Sequence, residues 1–97
     1  MQTIHERAAG LDVHKAFIMC CVRKTITGRD VREEIRRFGT MTDDLLAMAD
    51  WLQSHEVTHV AMESTAVLWK PVWNILEGYD FHLQLVNARE LKAGAWS

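Results

Sequence analysis

Apolar and polar positions alternate from Ala8 to His14, which predicts a first strand there. In a strand successive side chains point to opposite faces. Leu11 and Val13 therefore share one face, and Gly10, Asp12 and His14 share the other. The run Phe17-Ile18-Met19-Cys20-Cys21-Val22 is apolar at every position. It predicts a second strand over 16–24, covered on both sides. Thr25-Ile26-Thr27-Gly28 supplies turn chemistry, with Gly28 able to take positive φ. Asp30 to Phe38 alternates weakly and is rich in charge, which suits a sheet edge. These three strands form an antiparallel meander.

The period then changes. Leu45, Met48, Ala49 and Leu52 fall at i, i+3, i+4, i+7, the core-facing stripe of a helix. Thr42 is its expected N-cap, Asp43 and Asp44 suit its first turn, and it should end near Ser54 or His55. Thr58 to Met62 predicts a fourth strand, ending on Glu63, with Ser64 and Thr65 as possible caps. Trp69, Val72, Trp73 and Leu76 predict a second helix, with Pro71 in its first turn and Gly78 as its stop. Phe81 to Val86 predicts a fifth strand. Asn87 to Lys92 can begin a third helix, and Ala93 to Ser97 shows no period and is expected to be disordered.

The order β-β-β-α-β-α-β implies an α/β fold. Its mixed sheet holds a three-strand antiparallel meander plus two parallel strands, with two to three helices. With the first strand central beside the fourth, Asp12 and Glu63 become neighbours at the carboxyl edge, where open α/β sheets bind ligands. A carboxylate on a buried strand needs a partner, and a hard cation is one. A solvated Asp at a fraying strand end is the plainer alternative.

Two carboxylates at adjacent strand ends suit Mg²⁺, which is held by one or two carboxylates plus waters and phosphate oxygens. A two-metal site needs more acids. Asp80 starts the fifth strand at the wrong end, about 15–20 Å away by strand rise. Glu90 is nearer but unsupported, and no acid follows it. His14 and Lys15 can touch a phosphate, although both also fit as ordinary strand-end residues. Ser64 and Thr65 can present hydroxyls to the same site or cap the next helix. His55 and His59 read as loop or solvent histidines, not ligands.

Composition narrows the class. The 97 residues make one small domain, and 48% hydrophobic with 25% charged residues is ordinary for a globular chain. A net charge of −2 gives no global attraction to nucleic acid, so affinity for it must be local. Arg29, Arg32, Arg36 and Arg37 do cluster, interleaved with Glu33 and Glu34 as on a solvated edge strand. Adjacent Cys20 and Cys21 point to opposite faces and read as small hydrophobes in a reducing, cytoplasmic compartment. No stretch is long enough for a membrane span, and no signal-peptide pattern opens the chain.

Several blocks together resemble one family: Gly10-Leu11-Asp12-Val13-His14-Lys15, Phe38-Gly39-Thr40, His59-Val60-Ala61-Met62-Glu63-Ser64-Thr65, Trp69-Lys70-Pro71-Val72-Trp73 and Leu85-Val86-Asn87-Ala88-Arg89. They are similar to the DEDD-type transposases of bacterial insertion sequences, the family numbered one hundred and ten, relatives of the Piv invertase. The resemblance runs from about Ile4 to about Leu91. It implies a RuvC-like, ribonuclease-H-like domain over residues 1–92, incomplete at its C-terminus, with 93–97 a non-matching tail. It implies Mg²⁺-dependent DNA strand cleavage and joining, with Asp12 and Glu63 as the first two acids and metal ligands. The family's third and fourth acids, in a Thr-Asp-x-x-Asp block, and its C-terminal serine domain have no match here. The expectation is therefore a truncated transposase N-terminal domain, inactive alone. DNA is its implied partner, with a guide RNA and a full-length transposase as further candidates. The family usually has Gly where this chain has Ala66, and Ala restricts a loop that needs positive φ.

Two other classes stay open. A non-enzymatic module would associate with an intact transposase through an uncovered apolar face. An actin-like or sugar-kinase-like phosphotransferase half would need a glycine-rich phosphate loop after the first strand, and His14-Lys15-Ala16 has no glycine.

Overall fold

A computed structural model describes residues 6–26 and 30–87. Five strands and two helices run in the order β1 (Glu6–Val13), β2 (Ile18–Ile26), β3 (Asp30–Phe38), α1 (Thr42–Ser54), β4 (His59–Ser64), α2 (Trp69–Leu76) and β5 (His82–Asn87). They form one mixed sheet of order β3-β2-β1-β4-β5. The β1–β2 and β2–β3 pairs are antiparallel, and β1–β4 and β4–β5 are parallel. This is α/β architecture of the ribonuclease-H-like kind, with the meander on one side and β1 central. Gly28, the tail from Ala93 and all of the expected third helix except Asn87 lie outside the described residues, and Asn87 itself ends β5.

The core lies on one face of the sheet. Ala9, Leu11 and Val13 of β1, Ile18, Cys20 and Val22 of β2, and Val60 and Met62 of β4 are buried there. Against them pack Leu45, Met48, Ala49 and Leu52 of α1, the stripe its spacing predicts, and Val72 and Leu76 of α2. Leu52 and Leu76 are completely buried. Truncating either to Ala removes about 2–5 kcal/mol of stability. Trp69 and Trp73 are half-buried and meet edge to face at 5.8 Å.

Among the described residues no helix covers the other face. The expectation that β2 is covered on both sides is corrected here: Met19 and Cys21 remain half-exposed. On the same side Ile35 of β3 is 64% exposed and Val31 is 49% exposed.

The helix ends show why local sequence was only a partial guide. The N-cap of α1 is Met41, not Thr42, and the capping acceptor comes from inside the helix. The Asp44 carboxylate accepts a hydrogen bond from the Met41 N–H at 3.1 Å. Gly39 makes this possible, because a Cβ there would collide with that carboxylate. At the other end, the Val57 N–H donates to the Leu52 carbonyl (3.2 Å) and the Glu56 N–H to the Gln53 carbonyl (2.8 Å). These are the two bonds of a Schellman stop, with buried Val57 and Leu52 as its apolar contact. Its left-handed residue is Glu56, at φ 59°, where glycine is usual. Glu56 also pairs with Arg7.

The N-cap of α2 is Leu68, with no side-chain cap, so neither Ser64 nor Thr65 serves that helix. Pro71 does sit in its first turn. Gly78 follows the helix end but does not use the left-handed region. Ala66, in the turn before α2, does: its φ is 52°.

Candidate metal centre on the open sheet face

Asp12 and Glu63 are each the penultimate residue of a strand, and they are register partners across the parallel β1–β4 pair. Parallel partners in register point the same way, about 4.8 Å apart at the backbone. Leu11 and Met62, one residue earlier, point into the core. Asp12 and Glu63 therefore point out of the uncovered face. Both oxygen sets look onto a hollow of about 430 Å³ whose floor includes Gly10, Met19, Cys21 and Ala61. A Cβ at Gly10 would meet nothing within 4 Å, so the space beside Asp12 is open.

His14 lies just past the end of β1. Its Nε2 is 3.0 Å from Asp12 Oδ2, and its ring stacks on Phe17 at 4.4 Å. The turn between them is closed by the His14 N–H donating to the Phe17 carbonyl at 2.9 Å. Asp12 is thus held from one side and still more than half exposed, at 56%. Spacing had placed His14 on the right face but gave no sign of this contact.

The remaining residues raised by the sequence fall elsewhere. Ser64 lies on the core face, its hydroxyl donating to the Thr65 carbonyl at 3.1 Å, so it offers nothing to the carboxylates. Lys15 is exposed and borders a separate hollow with Val13, Thr40 and Pro71. Asp80 precedes β5 and sits at the opposite end of the sheet from Glu63. Glu90 lies outside the described residues. His55 packs edge-on against Trp51 at 4.8 Å and lies 3.5 Å from Glu34. His59 stacks on His82 at 4.7 Å, near the start of β4. Among the described residues no group of three or more His, Cys, Asp and Glu side chains is placed to hold a metal.

The cysteines divide as expected, with Cys20 in the core and Cys21 on the open face. Burial, reinforced by Cys21, pushes the Cys20 thiol up to about 12. The Cys21 thiol is also raised, by partial burial first and Glu33 second, against the opposing Arg23. Neither is a ready nucleophile at neutral pH.

Over residues 9–95 the sequence matches the DEDD, IS110-type family of transposases. The chain belongs to that family. Asp12 and Glu63 both lie within the matched residues, and DNA is the substrate class the family implies. No curated protein matches the chain. Among solved structures, this transposase domain is similar to the Aquifex aeolicus member of the Ppx/GppA protein family, with a TM-score of 0.52 and 9% identity. The match covers 87% of this chain and 36% of that one, so this chain spans about a third of that protein's length. At that identity the likeness concerns the fold alone. Among the described residues, no helix of the transposase domain is long and apolar enough to cross a membrane.

Proposed function

We propose that Asp12 and Glu63 jointly hold Mg²⁺ and that this domain, spanning residues 1–92, serves DNA strand cleavage and joining in transposition. The single observation behind the proposal is the Asp12–Glu63 register pairing on the uncovered face. The donor set fits a hard divalent cation: two carboxylates side by side, Asp12 exposed and Glu63 half-buried, with room for waters and phosphate oxygens. When bound, such a cation stabilises charge developing on phosphoryl oxygens. The protein's own contributions are positional. Parallel pairing sets the spacing of the two carboxylates, and His14 fixes the orientation of Asp12. The bare sheet face lets a wide DNA substrate approach.

Among the described residues these two acids are unsupported by a third, and a two-metal reaction needs more. The chain alone is accordingly proposed to bind metal without cutting DNA. Two measurements test this. Calorimetric Mg²⁺ or Mn²⁺ binding should disappear in Asp12→Ala and in Glu63→Ala; binding that survives both overturns the site. Incubation with supercoiled or branched DNA should give no nicks. Robust nicking that vanishes in Asp12→Ala overturns the inactivity.

Exposed Ile35 and Val31 favour a second reading, a non-enzymatic module that docks on an intact transposase and modulates it. Co-purification with such a relative supports that role, and a clean monomer in its presence counts against it. A guide RNA is proposed as a further partner only with the cleavage reading.

A further inference from the structure

The register that aligns Asp12 with Glu63 also aligns Asp12 with Met19, and Met19 with Arg37 of β3. A row Arg37–Met19–Asp12–Glu63 therefore crosses the open face at one level. Arg37 lies two strand spacings from Asp12, about 10 Å at the backbone. Its guanidinium is held over an aromatic ring: Cζ lies 4.1 Å from the Phe17 centroid. Phe17 is the same ring on which His14 stacks, and His14 touches Asp12. One continuous set of contacts thus joins the cation to the first metal-site carboxylate.

Arg37 differs from its neighbours. Arg36 points to the helix side, over Phe38 at 4.8 Å and near Trp51 at 5.9 Å, where it covers the core edge. Arg23, on the open face, pairs with Glu33 at 3.3 Å. Among the described residues no carboxylate pairs with Arg37. A guanidinium that is exposed, oriented by stacking and without an acid partner keeps its N–H fork available. That fork matches phosphate oxygens bidentately. Along B-form DNA about three base steps of one strand span 10 Å.

We propose that Arg37, seated on Phe17, is a phosphate-binding residue that grips the nucleic-acid backbone a few nucleotides from the phosphate aligned on Asp12 and Glu63. It gives a chain of net charge −2 a local cationic grip on phosphate where net charge supplies none. Phe17 sets where the guanidinium stands and does not itself read sequence. The proposal rests on the metal-site reading for its location, not for its charge.

The test is anisotropy of labelled duplex and branched DNA with the full chain, over a salt series, in EDTA and in Mg²⁺. In EDTA, Arg37→Ala should weaken binding several-fold and reduce the slope of log K against log salt by about 0.9, one phosphate contact. Phe17→Leu should weaken binding with less change in slope, and Arg37→Lys should retain the slope but lose affinity. Arg23→Ala, already paired to Glu33, should leave the slope unchanged. A wild-type chain that binds no DNA, or an Arg37→Ala chain with wild-type slope and affinity, overturns the proposal. Asp12→Asn should abolish any Mg²⁺ effect on binding while the Arg37 effect in EDTA persists. If Mg²⁺ does nothing to the wild type but the Arg37 effect stands, only the metal reading fails. Circular dichroism of each variant confirms the fold.

Discussion

Asp12 and Glu63 are paired residue for residue across two strands that run the same way, and both leave the sheet on its bare side. Asp12 is more than half exposed and Glu63 half-buried on that face, so neither carboxylate anchors the core. Asp12→Asn and Glu63→Gln should each change stability in EDTA by less than about 0.5 kcal/mol. With Mg²⁺ at ten times its Kd, the wild type should gain about 1.4 kcal/mol, about 6–11 °C in Tm, and both variants should gain nothing. Differential scanning fluorimetry with and without the metal reads both outcomes.

Gly39 and Asp44 form one device. A side chain at 39 displaces the Asp44 carboxylate that caps Met41. Gly39→Ala and Asp44→Ala should each cost about 1 kcal/mol, the worth of a cap. The double variant should cost little more than either alone, since both remove the same hydrogen bond. Urea denaturation of the four proteins gives the coupling.

Ala66 sits at φ 52°, a conformation that costs a residue with a Cβ about 1–2 kcal/mol. Ala66→Gly removes that strain and adds unfolded-chain entropy. The net expectation is a more stable protein by up to about 1 kcal/mol, read as a higher urea midpoint at unchanged slope.

The thiols give a pH dependence. In the folded chain Cys20 keeps its proton to about 12, whereas the unfolded chain releases it near 9.0. Between those values the native state binds more protons, so stability falls as pH rises, by at most about 1.4 kcal/mol per unit. Cys20→Ala should be less stable than wild type at pH 8, and the gap should narrow by pH 10. Iodoacetamide should label Cys21 well before Cys20, as mass spectrometry of the peptides will show.

Much of this was legible in the residues. Leu45, Met48, Ala49 and Leu52 declare a helix face by their period, and the order of elements puts β1 beside β4. Those two facts suffice to bring Asp12 to Glu63. Gly10 was already on their face, and the strain at Ala66 was foreseeable because the family that the chain resembles usually has glycine there. The rest depended on tertiary placement. Nothing local marks Glu56 as a left-handed helix stop, because its role comes from Val57 docking on Leu52. Arg36 and Arg37 look alike in sequence, and only the register of β3 on β2 sends one to the core edge and the other to Phe17. Apolarity at every position from Phe17 to Val22 suggested two covered faces, but a half-exposed strand with Met19 and Cys21 outward reads the same way.

The β1–β4 pairing closes a long span: Thr58 donates both its N–H and its hydroxyl to the Arg7 carbonyl, 51 residues away. The meander needs only neighbouring segments and can assemble first, while this closure waits on α1. The Asp12–Glu63 pair therefore forms only when β4 docks beside β1, and β5 then joins the sheet outside it. An ion captured there acts as a latch: it should prolong the life of the finished fold and leave the rate of reaching it untouched.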